Sequence, residues 1–244
     1  MPTYKIFFRH IFNLSFAFII LSSCKKEKEE NLTAIETGFV IDIDGNKYAT
    51  VKIGNKWWMA ENLKVKKFRN GKSIQQIFDP SKWNVNQPAF CLFQNSDKAS
   101  GLLYNGYTIC DTSNLAPEGW HVATEQDWKD LEAQQGMPGT EIEKLNWRGS
   151  SEGDMLKVAA PFDWTRFGSV WGNNKSGFNA LSGGCILSNG HWSNPGLNAT
   201  GFWWSSTQTS EGKLWFRHLD YKKSGIFRFY ESKNYGMSVR CVKD

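Results

Sequence analysis

The chain has 244 residues, a formal net charge of +5, and 22% charged against 15% aromatic residues. That balance is too mild for a nucleic-acid binder, and Lys64, Lys66 and Lys67 read as a solvated basic face. Twelve tryptophans and 22 glycines point instead to a loop-rich fold held by large aromatic plugs.

In chain order, residues 1–23 read as a secretory signal. Lys5 and Arg9 precede an apolar run, "IFNLSFAFIIL", too short to span a bilayer. The run closes on Leu21-Ser22-Ser23-Cys24, the pattern of a bacterial lipobox, so Cys24 is expected to carry acyl chains. Two or three chains, at about 0.8 kcal/mol per buried methylene, make a nearly permanent membrane anchor. A plain signal with a chance cysteine is the alternative. Residues 24–36 carry the charged run "KKEKEEN" with no apolar face and read as a solvated tether.

Residues 37–244 suit one domain. Three strands open it: Phe39 to Ile43, Lys47 to Ile53 and Lys56 to Ala60, joined by Asp44-Gly45 and Gly54-Asn55. "DIDGN" has the look of a calcium loop but lacks the later oxygen ligands, so a tight turn is expected. Apolar segments follow at "AFCLFQN" and "GLLYNGYTI". The clearest helix starts at Thr124, an N-cap with Asp127 three residues on; Trp128 and Leu131 share a face and Gly136 ends it. Short helices are expected near Thr140 to Leu145 and Gly153 to Val158. The last quarter alternates as a meander, "CILSNGHWS", "GFWWSSTQ", "LWFRHLDY", "IFRFYES" and "GMSVRCVKD". Early hairpin, helix, long loops and late strands together indicate an α+β domain.

With Cys24 lipidated, Cys91, Cys110, Cys185 and Cys241 remain, spaced too widely for CxxC motifs. Three pairings are open to them, and buried free thiols are the alternative. The adjacent Trp203 and Trp204 pose a similar choice between core strand and sugar platform. On a strand they point to opposite faces, and core is the expectation.

Taken in order, "IDIDGNKYATVKIGNKWWMAENLK", "GLLYNGYT", "PEGWHVATEQDWKDLE", "SGFNALSGG", "GFWWSSTQ" and "YGMSVRCVKD" resemble the Fibrobacter succinogenes major paralogous domain. The resemblance runs from about Val40 to Asp244. Members are typically secreted or lipid-anchored proteins of Bacteroidetes and Fibrobacteres without an assigned reaction. The "GWH…T…W" helix and the "VRC" strand also resemble the C-type-lectin-like fold of formylglycine-generating enzymes. That implies a twisted antiparallel sheet, one or two flanking helices and long loops. The charged run after Cys24 is similar to the surface-export signals of Bacteroidetes lipoproteins, although two lysines precede its first acid. It implies an outer-membrane, surface-exposed location. Family members commonly carry a cysteine just before the proline of this helix block, where this chain has Ala116. The resemblance therefore implies Cys110 as the partner of Cys241. Only Cys241 stands where those enzymes keep a cysteine pair, so their chemistry is not expected here.

No catalytic residue, metal ligand or cofactor site is expected. His121, His191 and His218 have no sequence-local partners for zinc or triad chemistry. The leading expectation is a non-catalytic binding module for an extracellular glycan or protein, with no nucleic-acid partner. The alternatives are a structural envelope or fimbria-associated subunit and, behind that, a relative of the formylglycine-generating enzymes. Without the "EPN" or "QPD" and "WND" motifs of calcium lectins, a sugar would be held by stacking and amides. The loop from Ser188 to Asn198 offers Asn189, His191, Trp192 and Asn194 for that role; Trp192 could equally plug the core.

Overall fold

The computed structural model describes residues 34–93, 100–159, 164–165, 172–193 and 199–244. The expected signal, Cys24 and nearly all of the tether therefore lie outside the described residues, as does Asn194. The stretch Ile35–Asp244 forms a compact unit. Its elements run β1 (Thr37–Ile41), β2 (Lys47–Ile53), β3 (Lys56–Met59), β4 (Gln75–Gln76), β5 (Ala89–Cys91), β6 (Leu103–Asn105), α1 (Gly106–Ile109), β7 (Trp120–Val122) and α2 (Glu125–Gln134). After these come α3 (Gly139–Ile142), β8 (Asn146–Arg148), α4 (Glu152–Leu156), β9 (Thr200–Gln208), β10 (Leu214–Asp220), β11 (Ile226–Glu231), β12 (Gly236–Met237) and β13 (Cys241–Lys243).

These strands make three sheets, ordered β1-β2-β3-β13-β7, β8-β11-β10-β9 and β12-β6-β5-β4. Pairing is antiparallel except between β4 and β5, and few helices accompany the strands, so the fold is α+β. The last quarter does not stay together as one meander. Its strands β9, β10 and β11 join β8, β12 enters the third sheet, and β13 lies between β3 and β7. Cys241 and Val242 complete the first sheet because Val242 pairs with both Trp58 and His121. The expected strand "CILSNGHWS" is a tight turn closed by an Ile186–Trp192 bridge.

Local chemistry explains the elements that sequence places well. Asp42 Oδ1 accepts from Asp44 N and Asn46 N at 2.9 Å, and Gly45 takes φ +80, so "DIDGN" is a tight turn. At α2, Thr124 Oγ1 accepts from Asp127 N while Asp127 Oδ2 accepts from Thr124 N, a capping box. Gly136, at φ +94, ends the turn that follows.

Towards its centre, from β2 to β13, the first sheet packs against apolar clusters on both faces. Tyr48, Met59 and Cys241 face one apolar cluster with Trp204, Tyr104 and Phe90. Val51, Trp58 and Val242 face a second, built on Trp128 and Leu131 of α2 with Phe178 and Trp203. The pair in β9 thus serves both clusters: Trp203 is 1% exposed and Trp204 0%. Each indole finds an acceptor, Asn62 Oδ1 for Trp203 and the Tyr104 carbonyl for Trp204, both at 2.8 Å. A third, smaller cluster gathers Ile77, Trp83, Ala89, Cys91, Phe93, Leu103 and Ile186.

Charge also holds the interior. Arg217 sends Nη1 to Glu125 at 2.8 Å and Nε to Glu132 at 2.6 Å; Arg148 clasps Glu132 with both terminal nitrogens at 2.8 Å. Arg228 Nε reaches Glu125 at 2.7 Å while its guanidinium lies 4.0 Å over the Trp215 ring. This lattice pins α2 to the second sheet. Arg240 is buried with no carboxylate paired to it among the described residues: its guanidinium donates to Asn62 Oδ1 and to the carbonyls of Met59, Phe178 and Asn179.

The bridge implied between Cys110 and Cys241 is not made; Cys91, Cys110, Cys185 and Cys241 are free thiols. Cys241 is enclosed on the central strand β13, whereas Cys110 caps α1, its N–H bonded to the Gly106 carbonyl. Burial raises all four thiols, Cys185 to about 12, which disfavours the reactive thiolate.

Candidate amide-rich binding face

The loop singled out in the sequence sits on a rigid base. Leu187 N bonds to His191 O and Gly190 N to Leu187 O, both within 3 Å. Gly190, at φ +82, presses on the Pro80 carbonyl so closely that a Cβ would collide with it. Beside it Gly236 bridges Ile186, and Trp83 Nε1 donates to the Asn234 carbonyl at 2.7 Å. Three stretches distant in sequence, around residues 80–87, 186–192 and 234–236, therefore converge over the third cluster.

Their outward side chains are mostly amides. Asn84, Asn86, Gln87, Asn189 and His191 are exposed. Asn234 Nδ2 donates to Asn84 Oδ1 at 2.9 Å and Asn86 Oδ1 at 3.2 Å, and Tyr107 adds its hydroxyl to Asn86 Oδ1. With those oxygens engaged, the Asn84 and Asn86 NH2 groups are left as donors among the described residues. Asn189 Oδ1 accepts from His191 N, which fixes the loop tip.

Trp192 is half-buried and packs edge-on against Phe93, with centroids 5.3 Å apart at 81°. Its first task is to plug, so the stacking face expected of it is only partly offered. Sequence reasoning found Asn189, His191 and Trp192 but missed Asn84, Asn86 and Asn234. The run "WNVNQP" was a weak signal, because only tertiary contact brings it beside the loop.

Other polar clusters are committed to structure. His121 lies between Asp244 Oδ1 at 2.6 Å and Asp127 Oδ2 at 3.0 Å, and Lys56 also reaches Asp127 at 2.6 Å. The bond to Asp127 raises the His121 pKa. Burial works against the Asp127 carboxylate, but His121, Lys56 and Thr124 overcome it and hold its pKa well below the usual range. His218 stacks on Phe202 at 4.1 Å, and its Nε2 is buried without a hydrogen-bond partner among the described residues. Burial, then the Lys157 charge, lowers its pKa to about 3, so it stays neutral. Glu125, Glu132 and their arginines are closed within the lattice. A cleft of about 280 Å³ beside the β1–β2 turn contains Asp42 and Arg69, already bonded to Tyr48 and to the carbonyls of Ala116, Pro117 and Trp120. Among the described residues no cluster of three or more His, Cys, Asp and Glu is placed to hold a metal ion.

No curated protein and no solved structure shows a match to this chain. A family model does match, that of the Fibrobacter succinogenes major domain, over residues 51–243. That span runs from the end of β2 to the last strand, and the chain belongs to the Fibrobacter succinogenes major domain family.

Proposed function

We propose that this protein is a non-catalytic lipoprotein of the outer membrane, anchored through Cys24, that displays a C-type-lectin-like binding module for an extracellular glycan or protein. The observation that carries the reading is the convergence of Asn84, Asn86, Asn189 and His191 on one exposed face, held by Trp83, Trp192 and Phe93. Amides on a rigid aromatic base suit neutral hydroxyl-rich ligands: each good hydrogen bond contributes about 1 kcal/mol and costs little ordering. The leader ending in "LSSC" supports the anchor, and the engagement of Glu125, Glu132, Asp127 and His121 in structural pairs supports a non-catalytic role.

A glycan array probed with the purified chain tests the reading. Asn86→Ala and His191→Ala each weaken binding roughly two- to tenfold, the equivalent of one hydrogen bond, with an unchanged melting temperature. EDTA leaves binding intact. Absence of any retained glycan or extracellular protein, or binding indifferent to both substitutions, sinks the assignment. For the anchor, Cys24→Ala abolishes acyl labelling; persistent labelling rules out lipidation at that residue.

A further inference from the structure

On the amide-rich face the side-chain oxygens are spoken for and donors are left over. Asn234 Nδ2 lies 3.3 Å from the Val85 carbonyl, a group that can only accept, so that amide presents its nitrogen there. Asn84 and Asn86, which touch the same nitrogen, must then offer it oxygen. Tyr107 in turn donates its hydroxyl hydrogen to the Asn86 oxygen. At the loop tip His191 N, a backbone donor, fixes the Asn189 oxygen in the same way. Asn84, Asn86 and Asn189 are all exposed, and their NH2 groups have no partner among the described residues.

Two of these donors make a fork. Asn84 and Asn86 hold one Asn234 nitrogen, at 2.9 and 3.2 Å, while Val85 between them packs on the third cluster, so the two amides stand side by side. A carbonyl oxygen has two lone pairs and no hydrogen, and can accept from both at once. A sugar hydroxyl can also accept, but its own hydrogen finds no acceptor in the fork. A carboxylate or sulfate fits less well. The described arginines are engaged elsewhere, and the exposed charges of the stretch 79–87, Asp79 and Lys82, cancel. An extended peptide sets a backbone N–H beside each carbonyl and calls for a strand edge, which side-chain donors alone do not supply.

We propose, resting on the reading of the chain as a binding module, that this face selects glycans by the acetamido group of an N-acetylhexosamine, whose carbonyl oxygen accepts from Asn84 and Asn86. An amide carbonyl is the strongest uncharged acceptor that common sugars carry, and it stands out from the ring on a free arm. The Asn189 NH2, across the contact of Gly190 with the Pro80 carbonyl, supplies a further donor for a second oxygen of the same glycan.

The test is an array carrying acetamido glycans beside the same glycans after chemical de-N-acetylation, probed with the purified full chain. The acetamido forms are expected to be retained, with binding falling about tenfold or more once the acetyl group is removed, because two hydrogen bonds go with it. Asn86→Asp keeps the oxygen that Asn234 and Tyr107 hold and replaces only the donor. It should weaken acetamido binding about tenfold and turn the preference toward the de-N-acetylated, positively charged form, at an unchanged melting temperature. Equal retention of both forms by the parent chain, a preference for uronic or sulfated glycans, retention of peptides alone, or loss of both forms alike in Asn86→Asp overturns the acetamido assignment but not the module. An array on which nothing is retained, with no protein captured either, overturns both.

Discussion

β9 and β1 carry the same period-two alternation and end in opposite environments. In β9 the neighbours Trp203 and Trp204 lie in separate apolar clusters, with both indoles hydrogen-bonded inside the domain. In β1 the apolar residues of one face remain in solvent. β9 also ends its sheet, but Trp203 bridges Ser238 and Ser206 N reaches the Ala123 carbonyl, so other segments cover its free side. Alternation tells which residues share a face; what packs on that face decides whether it becomes core or stays in water.

The sharpest way to break this contrast is inside the lattice that locks α2 over β10 and β11. Glu132 is wholly buried and binds both Arg148 and Arg217. Glu132→Ala leaves two buried guanidiniums short of a carboxylate and is expected to cost about 3–5 kcal/mol, read from denaturant unfolding. A loss below 1 kcal/mol shows that water or Glu125 takes over.

Trp204→Ala is expected to cost about 3–5 kcal/mol, at the lower end if the cluster collapses around the gap. An unchanged midpoint places the ring outside the core.

Acid gives a smaller effect with a definite sign. The folded chain holds His218 at about 3, below its ordinary 6.5, so its contribution is present above pH 6.5 and lost as pH falls from there toward 3. Near pH 4.5 the loss is roughly 3 kcal/mol, two pH units at about 1.4 kcal/mol each. His218→Phe should flatten that part of the stability curve, and an unchanged slope assigns the acid sensitivity elsewhere. His121 runs oppositely: its raised pKa makes its contribution fade as pH climbs through the folded value.

The smallest change belongs to β1. Phe39→Thr keeps β propensity on an exposed position and should alter the stability of the chain by no more than about 0.5 kcal/mol. A loss as large as that of Trp204→Ala would mean that Phe39 is core.

Much of the local structure was legible beforehand. The Thr124 cap, the Asp42 turn, the opening strands and the opposed faces of Trp203 and Trp204 depend on neighbours within a few residues, and their chemistry is written in short stretches. The amide-rich face was legible only in part. Asn189 and His191 stood out in a single loop, but Asn84 and Asn86 lie about a hundred residues away in sequence and share the face only after folding.

By itself, then, the sequence determined an α+β domain and its clearest helix and turns, because such signals are local in hydrogen bonding and hydropathy. The tertiary structure decided the rest. It placed β13 between β3 and β7, kept Cys110 and Cys241 unbridged, seated Trp192 on Phe93, and closed the arginines over Glu125 and Glu132. Each of these outcomes depends on which distant segment arrives at a given face, and no short-range pattern encodes that arrival.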